Sequence, residues 1–515
     1  MSEKVKDQDR EQPSVNELLK IRREKLDALK DEGKDPFEIT VSKRDAYAQN
    51  IKDNFESLDG KDVCVAGRIM SWRDMGKAAF IDIYDVTGRI QVYVRINDVG
   101  EDTYKSMSKW DIGDIVEVSG FVFKTRRGEV SIHAKDIKLL SKSLLPLPEK
   151  FHGLKDTDLR YRQRYGDLMV NPEVKNNFIS RSTVIKTIRK FLDDKGYIEV
   201  ETPILNTIPG GAAARPFITH HNTYDADVYL RISPELTLKK LVVGGFTNVF
   251  EIARDFRNEG ISVNHLQDFT MIEGYSAYYN YKDNMKLMRE MITYIIGKLF
   301  DGNLVVNISG KDIDFGAEWD EVSFRELLIK DCGIDINEFP TAKELLAEIR
   351  RRNIQLEDEN IENLGRGNLI DLLYKKVSRP YIIKPTFLTG HPIDLSPLAR
   401  SNDEDPTLTD RFQLIVNGQE IINGYSELVD SQEQEKRFIE QNALKENGDE
   451  EAMSIDHEYI KAMEYGMPPI SGWGLGIDRF LQFLTSSYNI RDVVLYPLLK
   501  RRDNVEDDED EEVEE

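Results

Sequence analysis

Two β-strands joined by a charged loop are predicted between Asn248 and Tyr275, and this hairpin constrains the fold more than any other segment. The predicted strands cover residues 249–253 and 269–275. Because side chains alternate across a strand, one face of the second strand presents Phe269, Met271, Glu273 and Tyr275. The loop between the strands carries Arg257, Glu259 and His265. This combination is unusual for a core and predicts the floor of a site for a polar, anionic ligand; the alternative interpretation is a surface hairpin with solvated charges.

Composition limits the class of protein. The chain of 515 residues is long enough for two to four domains, and its 40% apolar and 32% charged residues are typical of a soluble globular protein. No apolar run approaches the length that crosses a bilayer, and the first residues are polar, so we expect a cytoplasmic protein that does not interact with a membrane. The two cysteines, Cys64 and Cys332, cannot form a disulfide framework or a cysteine-based zinc site.

The net charge of −23 argues against a nucleic-acid partner, but part of it is local. Residues 501–515 are predicted to be a disordered acidic tail, in which ten acidic residues follow Arg502. The rest of the chain still carries −13. Any bound RNA must therefore contact local basic patches.

The order of patterns along the chain predicts an α+β protein with several domains. Residues 1–58 form a helical extension, in which a helix over 14–32 has one basic side that is either solvated or faces RNA. Residues 59–143 contain five short β-rich runs, typical of an OB-fold barrel, with Phe80 and Gln91 as candidates for its nucleic-acid face. A linker at 144–150 leads to a mixed domain over 151–500, interrupted by a helical insertion at about 320–380.

Three segments in order resemble the motifs of class II aminoacyl-tRNA synthetases. The segment that ends YIEVETP at Pro203 resembles motif 1, Asp255 to Glu273 resembles motif 2, and Gly472 to Arg479 resembles motif 3. The resemblance implies a catalytic domain built on an antiparallel β-sheet flanked by helices. Together with an N-terminal OB-fold barrel, it points to the subgroup specific for aspartate, asparagine and lysine.

Within that subgroup, residues 60 to 500 resemble the lysyl-tRNA synthetases. The specific segments are GGAAARPF from Gly210, RISPELTLKKLVVGGF from Arg231, KPTFLTGHPIDLSPLA from Lys384 and NGQEIINGYSEL from Asn417. The resemblance implies a homodimer that uses ATP to attach L-lysine to tRNA(Lys) through a lysyl-adenylate. Motif 1 would contribute to the dimer interface.

The resemblance also implies roles for individual residues. The lysine site would comprise Gly211, Glu235, Glu273, Tyr275, Asn423, Tyr425 and Glu427. The ATP site would comprise Arg257, which is also the catalytic residue at the α-phosphate, with Glu259, His265, Phe269, Glu420 and Arg479. These residue types suit the substrates, because carboxylates bind ammonium groups and the arginine fork matches phosphate oxygens. Mg²⁺ would bind Glu420, with Gln413 beside it, and Phe80 and Gln91 would contact the anticodon.

Several positions depart from the usual pattern of these enzymes. Leu266 stands where an asparagine usually contacts the nucleotide, and Gln413 stands where a second metal-binding glutamate is usual. A neutral amide binds Mg²⁺ more weakly than a carboxylate does, so the number of metal ions stays open. Trp473 replaces a smaller residue in motif 3, and Asp136 replaces a glutamate near the anticodon positions.

Three other functions compete with this interpretation. An enzyme that delivers activated lysine to a protein would lack the barrel. A non-catalytic paralogue would have lost Arg257 or Arg479, and both are present. An aspartate or asparagine enzyme would need a site for an acidic or amide side chain, whereas three carboxylates suit a cation.

Overall fold

The computed structural model describes residues 15–148, 156–356, 361–446 and 454–501. The chain divides into two compact units, Met1–Pro172 and Glu173–Glu515. Residue 14, where the first predicted helix begins, and the tail from residue 502 lie outside the described residues, as do positions 149 and 150 of the linker. Among the described helices, none combines the length and the apolar character that a membrane crossing requires.

The first unit combines a β-barrel with short helices. Its helices are α1 (Val15–Asp31), α2 (Ala48–Asp53), α3 (Phe55–Leu58), α4 (Ile96–Val99), α5 (Glu101–Ser106), α6 (Thr157–Arg162) and α7 (Arg164–Val170). Its strands are β1 (Asp62–Asp74), β2 (Ala78–Tyr84), β3 (Arg89–Arg95), β4 (Ile115–Lys124) and β5 (Val130–Ser141).

The five strands close in the order β1-β2-β3-β5-β4, with β3 and β5 parallel, which confirms the predicted OB-fold barrel. Alternation builds its core: Ala79, Ile81 and Ile83 of β2 point inward and are almost fully buried. In α1, the predicted basic side is not entirely solvated. Arg22 is buried and donates hydrogen bonds to the carbonyls of Ser143 and Ile112 at 3.0 and 3.1 Å. Arg22 therefore stabilises the first unit.

The second unit is built on one large sheet. Its helices are α8 (Pro172–Asp194), α9 (Glu235–Val243), α10 (Tyr281–Leu299), α11 (Phe324–Cys332), α12 (Ala342–Arg351), α13 (Arg366–Val377), α14 (Ser431–Glu446), α15 (His457–Glu464) and α16 (Ile477–Leu484). Its strands are β6 (Ile198–Glu199), β7 (Leu205–Asn206), β8 (Ile218–His221), β9 (Ala226–Leu230), β10 (Asn248–Phe256), β11 (Asp268–Ala277), β12 (Val305–Ile308), β13 (Lys311–Asp314), β14 (Asp320–Ser323), β15 (Thr386–Pro392), β16 (Leu408–Val416), β17 (Gln419–Ser426) and β18 (Ile470–Gly476).

Eight strands form the sheet in the order β14-β15-β16-β17-β18-β11-β10-β6. The central six pair antiparallel, and β14 and β6 add parallel edges, which confirms the predicted class II architecture. The predicted hairpin is the pair β10–β11, with Glu251 opposite Glu273 and Asp255 opposite Phe269. Its strands are longer than predicted, because the alternation continues beyond the most apolar residues.

The helical block begins later than predicted. Residues 320–323 form the edge strand β14, and α11, α12 and α13 then pack around a separate apolar core that contains Leu328, Leu345 and Leu373. The main core lies between the sheet and helices α8, α10 and α16. The compact units divide at Pro172, whereas the sequence places the boundary at residues 150/151, and that boundary stays a prediction.

Candidate active site

Two adjoining cavities lie on one face of the sheet in the second unit. The first, about 230 Å³, contains three carboxylates and is called the carboxylate cavity. The second, about 260 Å³, is lined by two arginines and is called the arginine cavity. Arg257, Met271, Asn423 and Gly474 line both, so the cavities adjoin along the strands that carry these residues.

All seven residues predicted for the lysine site line the carboxylate cavity: Gly211, Glu235, Glu273, Tyr275, Asn423, Tyr425 and Glu427. Strand register explains this convergence. Glu273 of β11 and Asn423 of β17 both lie opposite Gly474 of β18, and the next row on this face sets Tyr275 and Tyr425 opposite Gly472. The Asn417–Gly418 turn, with both residues at positive φ, starts β17 in the register that this face requires.

Glycines in the middle strand create the cavity. A Cβ atom added to Gly472 would lie 2.3 Å from Tyr275 Cε1 and 2.5 Å from Glu427 Oε1. A Cβ atom on Gly474 would lie 2.7 Å from Met271 Cε. The floor of the cavity is therefore bare backbone, because any larger residue would occupy the space that the carboxylates face.

Hydrogen bonds hold two of the carboxylates in place. Ser233 and Tyr275 donate to the two oxygens of Glu273 at 2.8 and 2.9 Å. Tyr425 donates to Glu235 Oε1 at 2.8 Å. Glu427 is 1% exposed, and neither of its oxygens accepts an aligned hydrogen bond from the residues that the structure describes. The cavity therefore contains a buried acceptor that a ligand cation could satisfy.

Burial changes the acidity of these groups. Burial, with Glu235 and Asp255 nearby, raises the pKa of Glu273 to about 8. Burial also raises the pKa of Tyr275 well above its ordinary value, and the neighbouring carboxylates add to this, so its phenol stays a proton donor. Beneath them, burial raises the pKa of Asp255 to about 6, against the opposing effect of Arg231. Crowded carboxylates of this kind favour a cationic ligand.

All six residues predicted for the ATP site line the arginine cavity: Arg257, Glu259, His265, Phe269, Glu420 and Arg479. The guanidinium of Arg257 lies 5.1 Å from the ring centroid of Phe269. Among the described residues, the guanidinium of Arg257 donates only to the Ile232 carbonyl, at 3.4 and 3.5 Å, so most of its hydrogen-bonding capacity is available. Burial, together with Arg257 and Arg379, lowers the pKa of Arg479, and Glu420 opposes this change.

One carboxylate in this cavity has an amide neighbour. Gln413 is buried behind Glu420 and donates to Glu420 Oε2 at 3.0 Å. Within the described residues, no group of three or more histidine, cysteine, aspartate or glutamate side chains could hold a metal ion. Any metal here would therefore be held by few protein ligands, Glu420 first among them.

The loop between β10 and β11 is anchored at its far end. Gln482 of α16 donates to the Val263 carbonyl and to Asn264 Oδ1 at 3.2 and 3.0 Å. Leu266, the residue that departs from the usual asparagine, is 9% exposed and packs into the main core. His265 beside it is exposed, and its Nδ1 lies 2.7 Å from Ser262 Oγ. An apolar residue at 266 thus fixes the loop to the domain.

Sequence reasoning missed three residues of the site. Ser233 orients Glu273, and Arg411 lines the carboxylate cavity and donates to Asn423 Oδ1 at 2.8 Å. Lys239 is fully buried in contact with Glu235 and Glu427. Its spacing of four residues from Glu235 among apolar neighbours was the available signal, but a Glu-Lys pair at this spacing is also typical of an exposed helix.

On the barrel, the two predicted anticodon residues differ in exposure. Phe80 is partly exposed, and its ring lies 4.8 Å from that of Tyr93, at one end of an aromatic row that continues to His133 and Phe121. Gln91 is 7% exposed, and its Oε1 accepts a hydrogen bond from Ser131 at 3.2 Å. The barrel therefore offers aromatic faces to a ligand, with Gln91 beneath the surface.

Comparisons with known proteins agree with this architecture. Residues 156–500 match the family model for class II tRNA synthetases of the D, K and N type, and residues 63–140 match an OB-fold nucleic acid binding domain.

Curated relatives are similar over nearly the whole chain. The lysine–tRNA ligase of Clostridium tetani is 47% identical over 504 residues, which cover 98% of this chain and 100% of the relative. That of Pelotomaculum thermopropionicum is 49% identical over 489 residues, 95% of this chain and 96% of the relative. That of Thermoanaerobacter pseudethanolicus is 46% identical over 490 residues, which cover 95% of this chain and 97% of the relative. This chain therefore belongs to the class II tRNA synthetases of the aspartate, lysine and asparagine type, and within them to the lysine–tRNA ligase family, as its three motifs predicted.

Proposed function

We propose that this protein uses ATP to attach L-lysine to tRNA(Lys) through a lysyl-adenylate intermediate. One observation carries the proposal: a cavity with three buried carboxylates adjoins a second cavity with two arginines and an aromatic ring, and Arg257 lines both. A dicationic amino acid fits the first, and a nucleotide triphosphate fits the second. Their reacting groups would meet at Arg257.

In the carboxylate cavity, the two ammonium groups of lysine are the natural partners of Glu235, Glu273 and Glu427. Tyr275 and Tyr425 orient two of these carboxylates through their hydroxyl groups. A buried carboxylate discriminates strongly, because an uncharged side chain would leave it unpaired. This arrangement supports a preference for lysine over aspartate or asparagine.

In the arginine cavity, Phe269 and Arg479 would sandwich the adenine ring, where stacking and cation–π attraction act on opposite faces. Glu259 and His265 would make further contacts to ATP. Arg257 would bind the α-phosphate, because its planar fork matches two phosphate oxygens. Its few internal hydrogen bonds support this role.

The first chemical step is attack by a lysine carboxylate oxygen on the α-phosphorus. The bond between the α-phosphorus and the oxygen that bridges the α- and β-phosphates breaks, and pyrophosphate leaves. Negative charge builds up on the equatorial oxygens in the transition state, and Arg257 stabilises it. In the second step, the 3′ hydroxyl of the terminal adenosine of the tRNA attacks the lysyl carbonyl carbon, and AMP leaves. Positioning and electrostatics provide most of the rate enhancement.

Mg²⁺ is part of the proposal, and Glu420 with the carbonyl oxygen of Gln413 would hold it. Oxygen ligands suit this hard cation, which commonly binds one or two carboxylates and completes its shell with water and substrate phosphates. When bound, the ion would neutralise charge on the phosphates. Because Gln413 is uncharged, the protein itself contributes less negative charge than two carboxylates would.

Two further parts of the proposal concern partners. The aromatic face around Phe80 would contact the anticodon by stacking on unpaired bases. A second copy of the chain would cover apolar residues that remain exposed on short strands of the second unit, among them Ile198 of β6 and Ile218 of β8, which are 50% and 63% exposed. The protein would act in the cytoplasm, where its tRNA substrate is used.

Amino-acid-dependent exchange of pyrophosphate into ATP tests the proposal. All twenty amino acids are compared, and charging of tRNA(Lys) is then measured separately. We expect exchange with lysine, little with the others, and full charging of tRNA. Absence of lysine-dependent exchange would refute the proposal. Exchange without tRNA charging would indicate instead an enzyme that delivers lysine to a protein.

A further inference from the structure

A buried lysine lies inside the predicted lysine site. Lys239 of α9 is 0% exposed, and its Nζ donates to Glu235 Oε1 at 2.5 Å. The same Nζ forms an ion pair with Glu427 Oε2. Among the three carboxylates of the cavity, Lys239 thus contacts two, and the third, Glu273, is bonded to Ser233 and Tyr275.

The packing around Lys239 leaves its ammonium group no route to solvent. Its Nζ lies 5.7 to 6.0 Å from the ring centroids of Tyr275, Tyr425 and Tyr459. Aromatic faces attract an ammonium ion at this distance, and the attraction grows when water is excluded. Burial lowers the pKa of Lys239, but Glu235 and Glu427 outweigh it, so the net direction is upward and the side chain stays charged.

Lys239 leaves part of each of its two carboxylate partners without a hydrogen-bond donor. Glu235 Oε1 is occupied by both Lys239 and Tyr425, and no hydrogen bond from the described residues reaches its Oε2. Glu427 contacts Lys239 through Oε2, yet neither of its oxygens has a well-aligned donor in the described part of the chain. Both side chains line the cavity. Each therefore keeps an oxygen for a cation that enters it.

Lys239 changes the net charge of the carboxylate cavity. When all three carboxylates are ionised, they and the buried Lys239 ammonium group together carry two negative charges for the two ammonium groups of free lysine, whereas Arg257 and Arg411, which also line the cavity, add positive charge that the carboxylate of lysine can neutralise. Without Lys239, the cavity would hold one carboxylate in excess, and repulsion between buried carboxylates is relieved by taking up a proton. Burial already raises the pKa of Glu427, and Lys239 is the foremost group that opposes this rise.

We propose that Lys239 is a positioning residue of the amino-acid site, which fixes Glu235 and Glu427 and matches the charge of the cavity to that of a dicationic amino acid. This inference rests on the proposed function. The residue would not contact ATP or take part in phosphoryl transfer, because it lies behind the carboxylates and not in the arginine cavity. Its loss should therefore change the apparent affinity for lysine more than the rate at saturation.

The test compares Lys239→Met and Lys239→Gln with the wild type by lysine-dependent pyrophosphate exchange between pH 6.5 and 8.5. The charged or titratable groups that face Lys239 from its own and neighbouring elements are Glu235, Glu427, Tyr275, Tyr425, Tyr459 and, through Glu235, Glu273. Loss of the ammonium group removes the main attraction that opposes the rise in the pKa of Glu427, so the variants hold a proton on Glu427 more firmly. A protonated Glu427 does not attract an ammonium group, so lysine should bind the variants better as the pH rises.

We expect the KM for lysine in both neutral variants to be raised at least tenfold at pH 7. The ratio of variant to wild-type KM should fall as the pH rises, since the ratio cancels the titration of Glu273 that both proteins share. The kcat and the KM for ATP should change less than threefold. Lys239→Arg, which keeps the charge, should restore the wild-type dependence of the KM on pH.

Lys240→Met is the matched control. Lys240 is the next residue of α9, is one-third exposed, and lies 3.5 Å from Asp456 outside the cavity. We expect wild-type kinetics from this variant. A neutral variant at Lys239 with an unchanged KM, or a KM ratio that does not depend on pH, would overturn the inference.

Folding is checked by circular dichroism and thermal melting. If both neutral variants fail to fold while Lys240→Met folds, Lys239 belongs to the stability of the domain and the inference is wrong. If the wild type itself shows no lysine-dependent exchange, the proposed function fails first. The two failures are therefore distinguishable.

Discussion

Glu273 is a carboxylate that the protein keeps partly protonated near neutral pH. Burial and the nearby Glu235 and Asp255 raise its pKa to about 8. Below that pH the group is largely neutral and accepts an ammonium ion poorly, and above it the group is charged. The repulsion between the crowded carboxylates therefore favours the binding of a cation, because an entering ammonium group relieves that repulsion.

This gives a prediction for the pH dependence of lysine activation. The kcat/KM for lysine reports ionisations of the free enzyme, so it should rise with pH up to about pH 8 and then level off. We expect a gain of about tenfold between pH 7 and pH 8.5, since one protonation controls binding. Pyrophosphate exchange at several lysine concentrations measures it. The Glu273→Gln variant, which cannot titrate there, should lose this limb, and a wild-type profile that is flat over this range would contradict the assignment.

Arg257 is expected to control the rate of lysine activation. It lines both cavities, and within the described structure its guanidinium makes only long hydrogen bonds. Replacing it with alanine removes the cation proposed to stabilise the transition state, so kcat for exchange should fall by about 100-fold to 1,000-fold.

Arg351→Ala serves as the control for Arg257→Ala, because Arg351 lies on α12 with its side chain 68% exposed. It should show wild-type exchange, and both variants should melt at the temperature of the wild type. Near-normal exchange by Arg257→Ala would refute the role assigned to Arg257.

Single strands and their register determine the shape of the site. In β18, Gly472 and Gly474 lie between the functional residues of β11 and β17, and the cavity exists because both lack side chains. On the other face of the same strand, Trp473 is 2% exposed and packs over Gly274, where an added Cβ would lie 2.4 Å from the indole. One face of strand β18 therefore offers bare backbone to the cavity, and its other face places a bulky side chain in the core.

The Gly472→Ala variant tests this alternation. The new methyl group would lie within 2.5 Å of Tyr275 and Glu427, so either the ring or the carboxylate must move. We expect the KM for lysine to rise at least tenfold, while the KM for ATP stays within twofold, since the arginine cavity does not include Gly472. Gly297→Ala in α10 is the control, because its nearest new contact is an ordinary 3.8 Å from Leu304 Cδ2 and it lines neither cavity. Equal effects on lysine and ATP would show a general distortion of the sheet instead.

Local alternation also explains what could be predicted from the sequence. The hairpin β10–β11 and the shared face of Glu273 and Tyr275 follow from a two-residue period and a tight connection, both of which are visible in the chain. Lys239 could not be placed, because its burial depends on β17 and α15 packing over α9 from distant parts of the sequence. The sequence places β14 in a helical block, because this strand is four residues long and is defined by its partner β15.

The structural roles of Leu266 and Gln413 also could not be predicted from the sequence. From the sequence, each looked like a lost contact to ATP or metal. In the structure, Leu266 packs into the main core, and Gln413 donates to Glu420. Their neighbours, rather than their residue types, determine these roles.

At the scale of the whole molecule, exposed apolar residues on β6, β7 and β8 support the proposed association of two chains. Ile198, Leu205 and Ile218 are 50%, 49% and 63% exposed, and β6 is an edge of the large sheet. Unpaired edges with exposed apolar side chains are favourable surfaces for self-association.

Sedimentation velocity of Ile218→Asp tests the dimer. We expect the wild type to sediment as a dimer at micromolar concentration and the variant to dissociate at least ten times more readily, because burying one isoleucine is worth about 2 kcal/mol. Ile439→Asp is the control, since Ile439 is similarly exposed, at 54%, but lies on α14. A wild type that is monomeric at every concentration would contradict the proposal.

We expect substitutions in the two compact units to affect lysine activation and tRNA charging separately. The two cavities proposed for lysine activation lie entirely in the second unit, whereas Phe80 belongs to the barrel of the first. We therefore expect Phe80→Ala to leave lysine-dependent pyrophosphate exchange within twofold of the wild type. Stacking of one base on an aromatic ring is worth about 1–3 kcal/mol, so the kcat/KM for tRNA(Lys) should fall by about 10-fold to 100-fold.

Phe80→Tyr keeps the ring and should charge tRNA almost normally, which distinguishes stacking from a fold defect in the barrel. Both variants should melt like the wild type, because the Phe80 side chain is only partly buried and its loss leaves the inward-facing Ala79 and Ile81 in place. A matching loss in exchange and charging would place Phe80 in general stability. Normal charging by Phe80→Ala would mean that the barrel binds the tRNA through other residues, with the neighbouring ring of Tyr93 the first to be replaced.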